Sequence, residues 1–106
     1  VVADDRIDAY PAIKLRTLNT LLWASLGIGE YEQTFALAER IEGMLEGRPF
    51  LEGHRGWATH ARAEALLGQG RPREALELWA SIDASNKAVR AAADRRSAEV
   101  RAQAGL

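Results

Sequence analysis

His60 and Glu64 stand four residues apart, and no other pair in the sequence combines types and spacing that suit catalysis as well. Residues four apart on a helix share one face. A histidine beside a carboxylate can serve as a general base with an orienting partner, or as part of a metal site. No third ligand follows at a matching spacing, so a solvated or hydrogen-bonded pair is the favoured interpretation. We therefore expect no catalytic residue, no metal site and no cofactor.

The other reactive residue types form no recognisable catalytic motif. The chain contains no cysteine, which excludes disulfides, thiolate chemistry and cysteine-based zinc sites. Its serines lack the glycine elbow of hydrolases. Two glycine-bearing segments, which begin at Gly27 and Gly68, follow predicted helices and lack the lysine of phosphate loops. We predict that the chain is not an enzyme, and a small enzyme using His60 and Glu64 stays as a third hypothesis.

Three tryptophans are the strongest candidates for binding residues, because tryptophan is enriched at energetic centres of interfaces. Trp79 lies at an inward phase of its predicted helix, so we assign it to the core. For Trp23 and for Trp57, a place in the core and a place on an exposed binding surface are about equally favoured.

Length and charge exclude several partner classes. The 106 residues fit one domain, and the formal net charge of −1 provides no strong field for nucleic acid or an anionic membrane. No apolar run approaches the roughly 20 residues that span a bilayer. We expect a cytoplasmic protein that binds no nucleic acid and does not insert into membranes, with the periplasm left open.

Apolar residues recur at the 3.6-residue period of a helix along most of the chain. After a polar segment over 1–10, Pro11 begins a first helix, and Gly27 with Gly29 ends it. Four more helices are predicted over about 30–46, 54–67, 72–82 and 86–104. Asp83 or Ser85 is expected to cap the last of them. The predicted class is all-α.

A gapless internal repeat aligns residues 24–41 with residues 65–82, at an offset of 41. In each copy, two glycines make a tight turn between paired helices and a small residue allows their close approach. The identical pairs are Ala24/Ala65, Leu26/Leu67, Gly27/Gly68, Gly29/Gly70, Leu37/Leu78 and Ile41/Ile82.

The segment from Ala63 to Trp79 resembles the tetratricopeptide repeat family, through its small residue, turn glycine, Ala75 and the bulky residue that follows. The first copy departs at Thr34 and Ala38, and the period of 41 exceeds the family's usual 34. The resemblance implies a right-handed superhelix of antiparallel helix hairpins over 11–106. Its parts would be a repeat at about 12–46, a repeat at about 54–84 and a capping helix at about 86–104.

The resemblance further implies that the first helix of each pair lines a concave groove for a protein or peptide partner. Two of these positions, Trp23 and Glu64, hold asparagine in members that clamp a carboxylate, so we expect an aromatic-lined groove instead. The alternative is a self-associating or architectural helical domain of a larger enzyme or regulator, which could form a homo-oligomer. The predicted groove residues are Arg16, Asn19, Trp23, Trp57, His60 and Glu64.

Overall fold

Five α-helices account for most of residues 10–105, which are the residues that the computed structural model describes. The predicted polar segment 1–10 lies outside this range except for Tyr10. No strand occurs between residues 10 and 105, and the all-α prediction is confirmed. The helices are α1 (Tyr10–Gly27), α2 (Tyr31–Leu45), α3 (His54–Gly68), α4 (Pro72–Ala80) and α5 (Lys87–Ala104), with a 3-10 turn at Pro49–Leu51. None of these described helices has the length and apolar character that crossing a bilayer requires.

The helix ends lie within two residues of their predicted positions, but the predicted cap of α5 is wrong. Asn86 occupies the cap position, and its side chain accepts a hydrogen bond from the Val89 backbone at 3.4 Å. Asp83 instead accepts from the Ser85 backbone at 2.9 Å, which closes the turn before the helix. Both Asp83 and Ser85 therefore belong to the α4–α5 connection.

Helices that follow one another in the chain pack together, and α1 also contacts α3 while α3 contacts α5. The odd-numbered helices therefore form a contiguous row. The first hairpin (α1 with α2) lies beside the second hairpin (α3 with α4), and α5 packs on the far side of the second. The result is elongated, with extents of 58 × 29 × 16 Å.

Two hydrophobic clusters hold the helices together, and α3 takes part in both. An aliphatic cluster joins α1 and α2 to Ala58 and Ala61 of α3. A second cluster surrounds Trp79, which is fully buried, and joins α4 and α5 to Ala63 and Leu66 of α3. Because α3 contributes to both clusters, this helix of the second hairpin also provides the surface on which the first hairpin packs.

The turns of the two hairpins have the same backbone conformation. Gly29 and Gly70 adopt positive φ angles of 82° and 78°, which residues with a Cβ avoid. The backbone N–H of the residue after each glycine reaches a carbonyl five residues earlier at 2.9 Å, from Glu30 to Ser25 and from Arg71 to Leu66. This pairing ends α1 and α3 in the same way.

Candidate interaction groove

His60 lies at the centre of an aromatic cluster that also contains Trp23, Trp57 and Trp79. The ring centroids of these tryptophans are 5.7, 5.9 and 6.0 Å from the imidazole centroid. They come from α1, α3 and α4, so the cluster forms only where both hairpins meet. Tilted and edge-on rings at such distances attract one another through their quadrupoles.

A hydrogen bond fixes the orientation of the buried histidine. The Trp79 indole N–H donates to His60 Nδ1 at 2.7 Å. Nδ1 therefore carries no hydrogen, and in the neutral ring the hydrogen lies on Nε2. The bond also satisfies an indole N–H that would cost about 1–3 kcal/mol if left unpaired in the core.

Burial favours the neutral form of His60. Its side chain is 7% exposed, and burial lowers the pKa of its imidazole below the ordinary value, with Arg96 and Arg95 adding to the effect. The charge of Glu64 acts in the opposite direction and is outweighed. An imidazolium could not accept the indole N–H, so the hydrogen bond and the neutral state support each other.

Glu64 is bound to the last helix. Its two carboxylate oxygens accept from Arg96 Nε and Nη2 at 2.7 and 2.9 Å. Arg96 also donates to Glu99 at 2.7 Å, and its guanidinium carbon lies 6.0 Å from the Trp79 ring centroid. The hydrogen bond to Glu64 raises the pKa of Arg96, and the hydrogen bond to Glu99 adds a smaller increase. These contacts join α5 to the second hairpin at the edge of the aromatic cluster.

The structure brings together three of the six predicted groove residues, Trp23, Trp57 and His60. Both tryptophans are half-buried, so each packs on the cluster and still presents surface to solvent. The assignment of Trp79 to the core is confirmed. The other three predicted residues are placed differently: Arg16 is exposed, Asn19 is half-buried on α1, and Glu64 is held by Arg96.

Of the expected solvated or hydrogen-bonded pair of His60 and Glu64, the hydrogen bonding is present, but each side chain bonds to another residue. His60 is buried, its Nδ1 is bonded to Trp79, and the Glu64 oxygens are bonded to Arg96. A general base oriented by a carboxylate would need a hydrogen bond between the two residues instead. In the part of the chain that the structure describes, no three histidine, aspartate or glutamate residues are grouped to hold a metal ion.

Two features of the site were not predicted from the sequence: the role of Arg96 and the hydrogen bond that the Trp79 indole donates to His60. The sequence does show a signal for Trp79, since a core tryptophan needs an acceptor and a polar residue at an inward phase is a candidate. Arg96 is one of several arginines in α5 and shows no such signal. Arg90, another of these, is bonded to Asp94 at 2.7 Å and to the Ile82 carbonyl at 3.0 Å.

The chain matches no protein-family model, no curated protein and no solved structure. The function of the chain is therefore inferred from its own residues and their geometry.

Proposed function

We propose that this chain is a protein-interaction module of tetratricopeptide type, which holds a peptide or partner domain in a groove along α1 and α3. The observation that carries this proposal is the pair Trp23 and Trp57. They come from adjacent odd-numbered helices, are half-exposed, and flank one buried histidine. Two such rings on neighbouring helices offer a hydrophobic surface wide enough for an anchor side chain.

The surroundings of the two tryptophans favour binding because they are ordered before a partner arrives. The His60 ring contacts both indoles and is itself held by the hydrogen bond from Trp79. The surface therefore loses little side-chain entropy on binding, which raises affinity for a given contact area. A tryptophan also has few rotatable bonds for the area that it contributes.

The superhelical arrangement is part of the proposal. Contacts of α1 with α3 and of α3 with α5 support it, because a row of first helices is what lines the groove in such repeats. A helical or extended peptide with an aromatic or aliphatic anchor fits the apolar centre. Arg16, exposed two turns before Trp23 on α1, would lie toward one end of the bound segment.

Selection from a random peptide library displayed on phage tests the proposal. We expect selected peptides to bind the parent chain and to lose at least about ten-fold in affinity for a Trp23→Ala, Trp57→Ala double variant. Glu77→Ala, on the exposed face of α4, is the control and should bind as the parent does. Circular dichroism establishes that both variants keep their helicity. Equal binding of the selected peptides to the double variant would exclude the groove as the binding surface.

A further inference from the structure

The outer strip of α1 lies beside the groove, with Arg16 at the border between them, and consists of Ile13, Thr17, Thr20, Leu21 and Ala24. All five side chains are exposed, with Ile13 at 63% and Leu21 at 46%. The hydroxyls of Thr17 and Thr20 donate to backbone carbonyls four residues earlier, at 3.2 and 3.0 Å. The strip therefore offers mostly carbon atoms to solvent, without a charged residue among its members.

The repeat within this chain shows what kind of element covers such a strip. At the 41-residue offset, Thr17, Thr20 and Ala24 correspond to Ala58, Ala61 and Ala65 of α3. Those alanines are 1%, 0% and 0% exposed. Ala58 and Ala61 pack in the aliphatic cluster, to which α2 contributes Leu37, Ala38, Ile41 and Leu45. On α3 these three positions are therefore buried, and two of them are covered by the aliphatic ridge of a preceding helix.

The charges of α1 and α2 indicate which polar residues a helix docked on the strip would carry. The charged residues of α1 are Lys14 and Arg16, both positive, whereas α2 carries three glutamates and one arginine. Two further glutamates, Glu30 and Glu46, flank this helix directly at its two ends. In the interface between α2 and α3, Glu42 pairs with Arg62 at 3.0 Å. A helix that covers α1 would meet positive charge at the edge of its apolar ridge, as α2 does.

We propose that the outer strip of α1 docks an acidic amphipathic helix supplied by a partner polypeptide and similar in kind to α2. The partner presents large aliphatic residues at helical spacing to the small side chains of the strip, with carboxylates near Lys14 and Arg16. The strip runs from Ile13 to Ala24, about 17 Å at the rise of an α-helix, so the docked helix needs about three turns.

A synthetic copy of residues 30–46 is the probe, carrying a fluorophore and a hydrocarbon staple between the positions of Ala36 and Arg40. Both positions are exposed in α2, so the staple keeps the peptide helical without covering the ridge. Fluorescence anisotropy with the full chain should show saturable binding. Ala24→Glu, which places a charge on the strip, should weaken this binding at least about ten-fold. Ala98→Glu makes the same change at an exposed position of α5 and should bind as the parent does.

Absence of saturable binding would overturn the proposal, and so would parent-like binding to Ala24→Glu, the result expected if the peptide exchanged with α2 itself. Sedimentation equilibrium of the chain alone tests whether a second copy of the chain occupies the strip instead. A doubled mass that Ala24→Glu abolishes would make a second copy the occupant and would overturn the separate partner helix. Replacing the peptide's glutamates with glutamine should weaken binding and reduce its salt dependence, and an unchanged affinity would contradict the charge argument.

Discussion

The two hairpins share a turn but differ in what they bury beside it. Ser25 and Thr34 of the first hairpin are buried, and their hydroxyl oxygens are 2.8 Å apart. At the 41-residue offset the second hairpin has Leu66 and Ala75, which are apolar and also buried. The same backbone geometry thus tolerates a polar pair or an apolar pair, provided that the polar pair is internally satisfied.

The two hairpins also differ at a second pair of positions, one on each helix of the hairpin. The fully buried Ala38 and the half-buried Asn19 of the first hairpin correspond to Trp79 and His60 of the second. The large indole brings an N–H into the core, and the histidine provides the acceptor for it. The two differences belong together, and they explain why the aromatic cluster is centred on the second hairpin.

The largest expected effect is that of Trp79→Ala, which gives the second hairpin the residue of the first. Trp79 is fully buried in a cluster shared by α3, α4 and α5, so its loss leaves a cavity in their common core. We expect the free energy of unfolding to fall by about 3–5 kcal/mol, measured by urea denaturation. Adding His60→Asn, the other first-hairpin residue, should recover little of this loss. A decrease below about 1 kcal/mol would show that the second hairpin collapses around the smaller residue.

The helices and the core tryptophan could be predicted because their signals are local. Glycines at the turns and apolar residues at a 3.6-residue period determine which segments form helices and which face is buried. The bond from Trp79 to His60 and the pair of Arg96 with Glu64 join residues 19 and 32 positions apart. Their formation depends on how the helices pack, and periodicity carries no information about which of several arginines in α5 reaches α3.

A smaller effect should distinguish the two glycines that end α1 and α3. A Cβ at Gly27 would have no neighbour within 4 Å, whereas a Cβ at Gly68 would overlap the ring of Tyr31, closer than real Cβ contacts come. Gly27→Ala should therefore stabilise the chain by up to about 1 kcal/mol through helix propensity. Gly68→Ala should destabilise it by about 1–3 kcal/mol through overpacking. Thermal or urea unfolding measures both.

The control for the glycine pair is the Tyr31→Ala background. Tyr31 begins α2 and its ring packs over the end of α3, so it is a contact between the hairpins. With the ring removed, Gly68→Ala should no longer destabilise the chain and should resemble Gly27→Ala in its effect, which a double-mutant cycle would show as a coupling free energy. A cost that persists without Tyr31 would contradict the steric explanation.

The smallest expected effect is a dependence of stability on pH that comes from His60. Burial places the pKa of His60 in the folded chain below its ordinary value of about 6.5, so near and below that pH the unfolded chain binds more protons. The contribution of His60 to stability is then complete above about pH 6.5 and is lost as the pH falls toward the folded-state pKa.

Unfolding curves of the parent and His60→Asn between about pH 5 and 8 isolate this contribution. Asparagine can place an amide oxygen near the position of Nδ1 and accept the Trp79 N–H, but it does not titrate. The difference in unfolding free energy between the two proteins should shift in favour of His60→Asn as the pH falls. The exposed His54 is present in both and cancels. A difference that is constant with pH would show that folding does not lower the pKa of His60, and would contradict the coupling of its neutral state to the bond from Trp79.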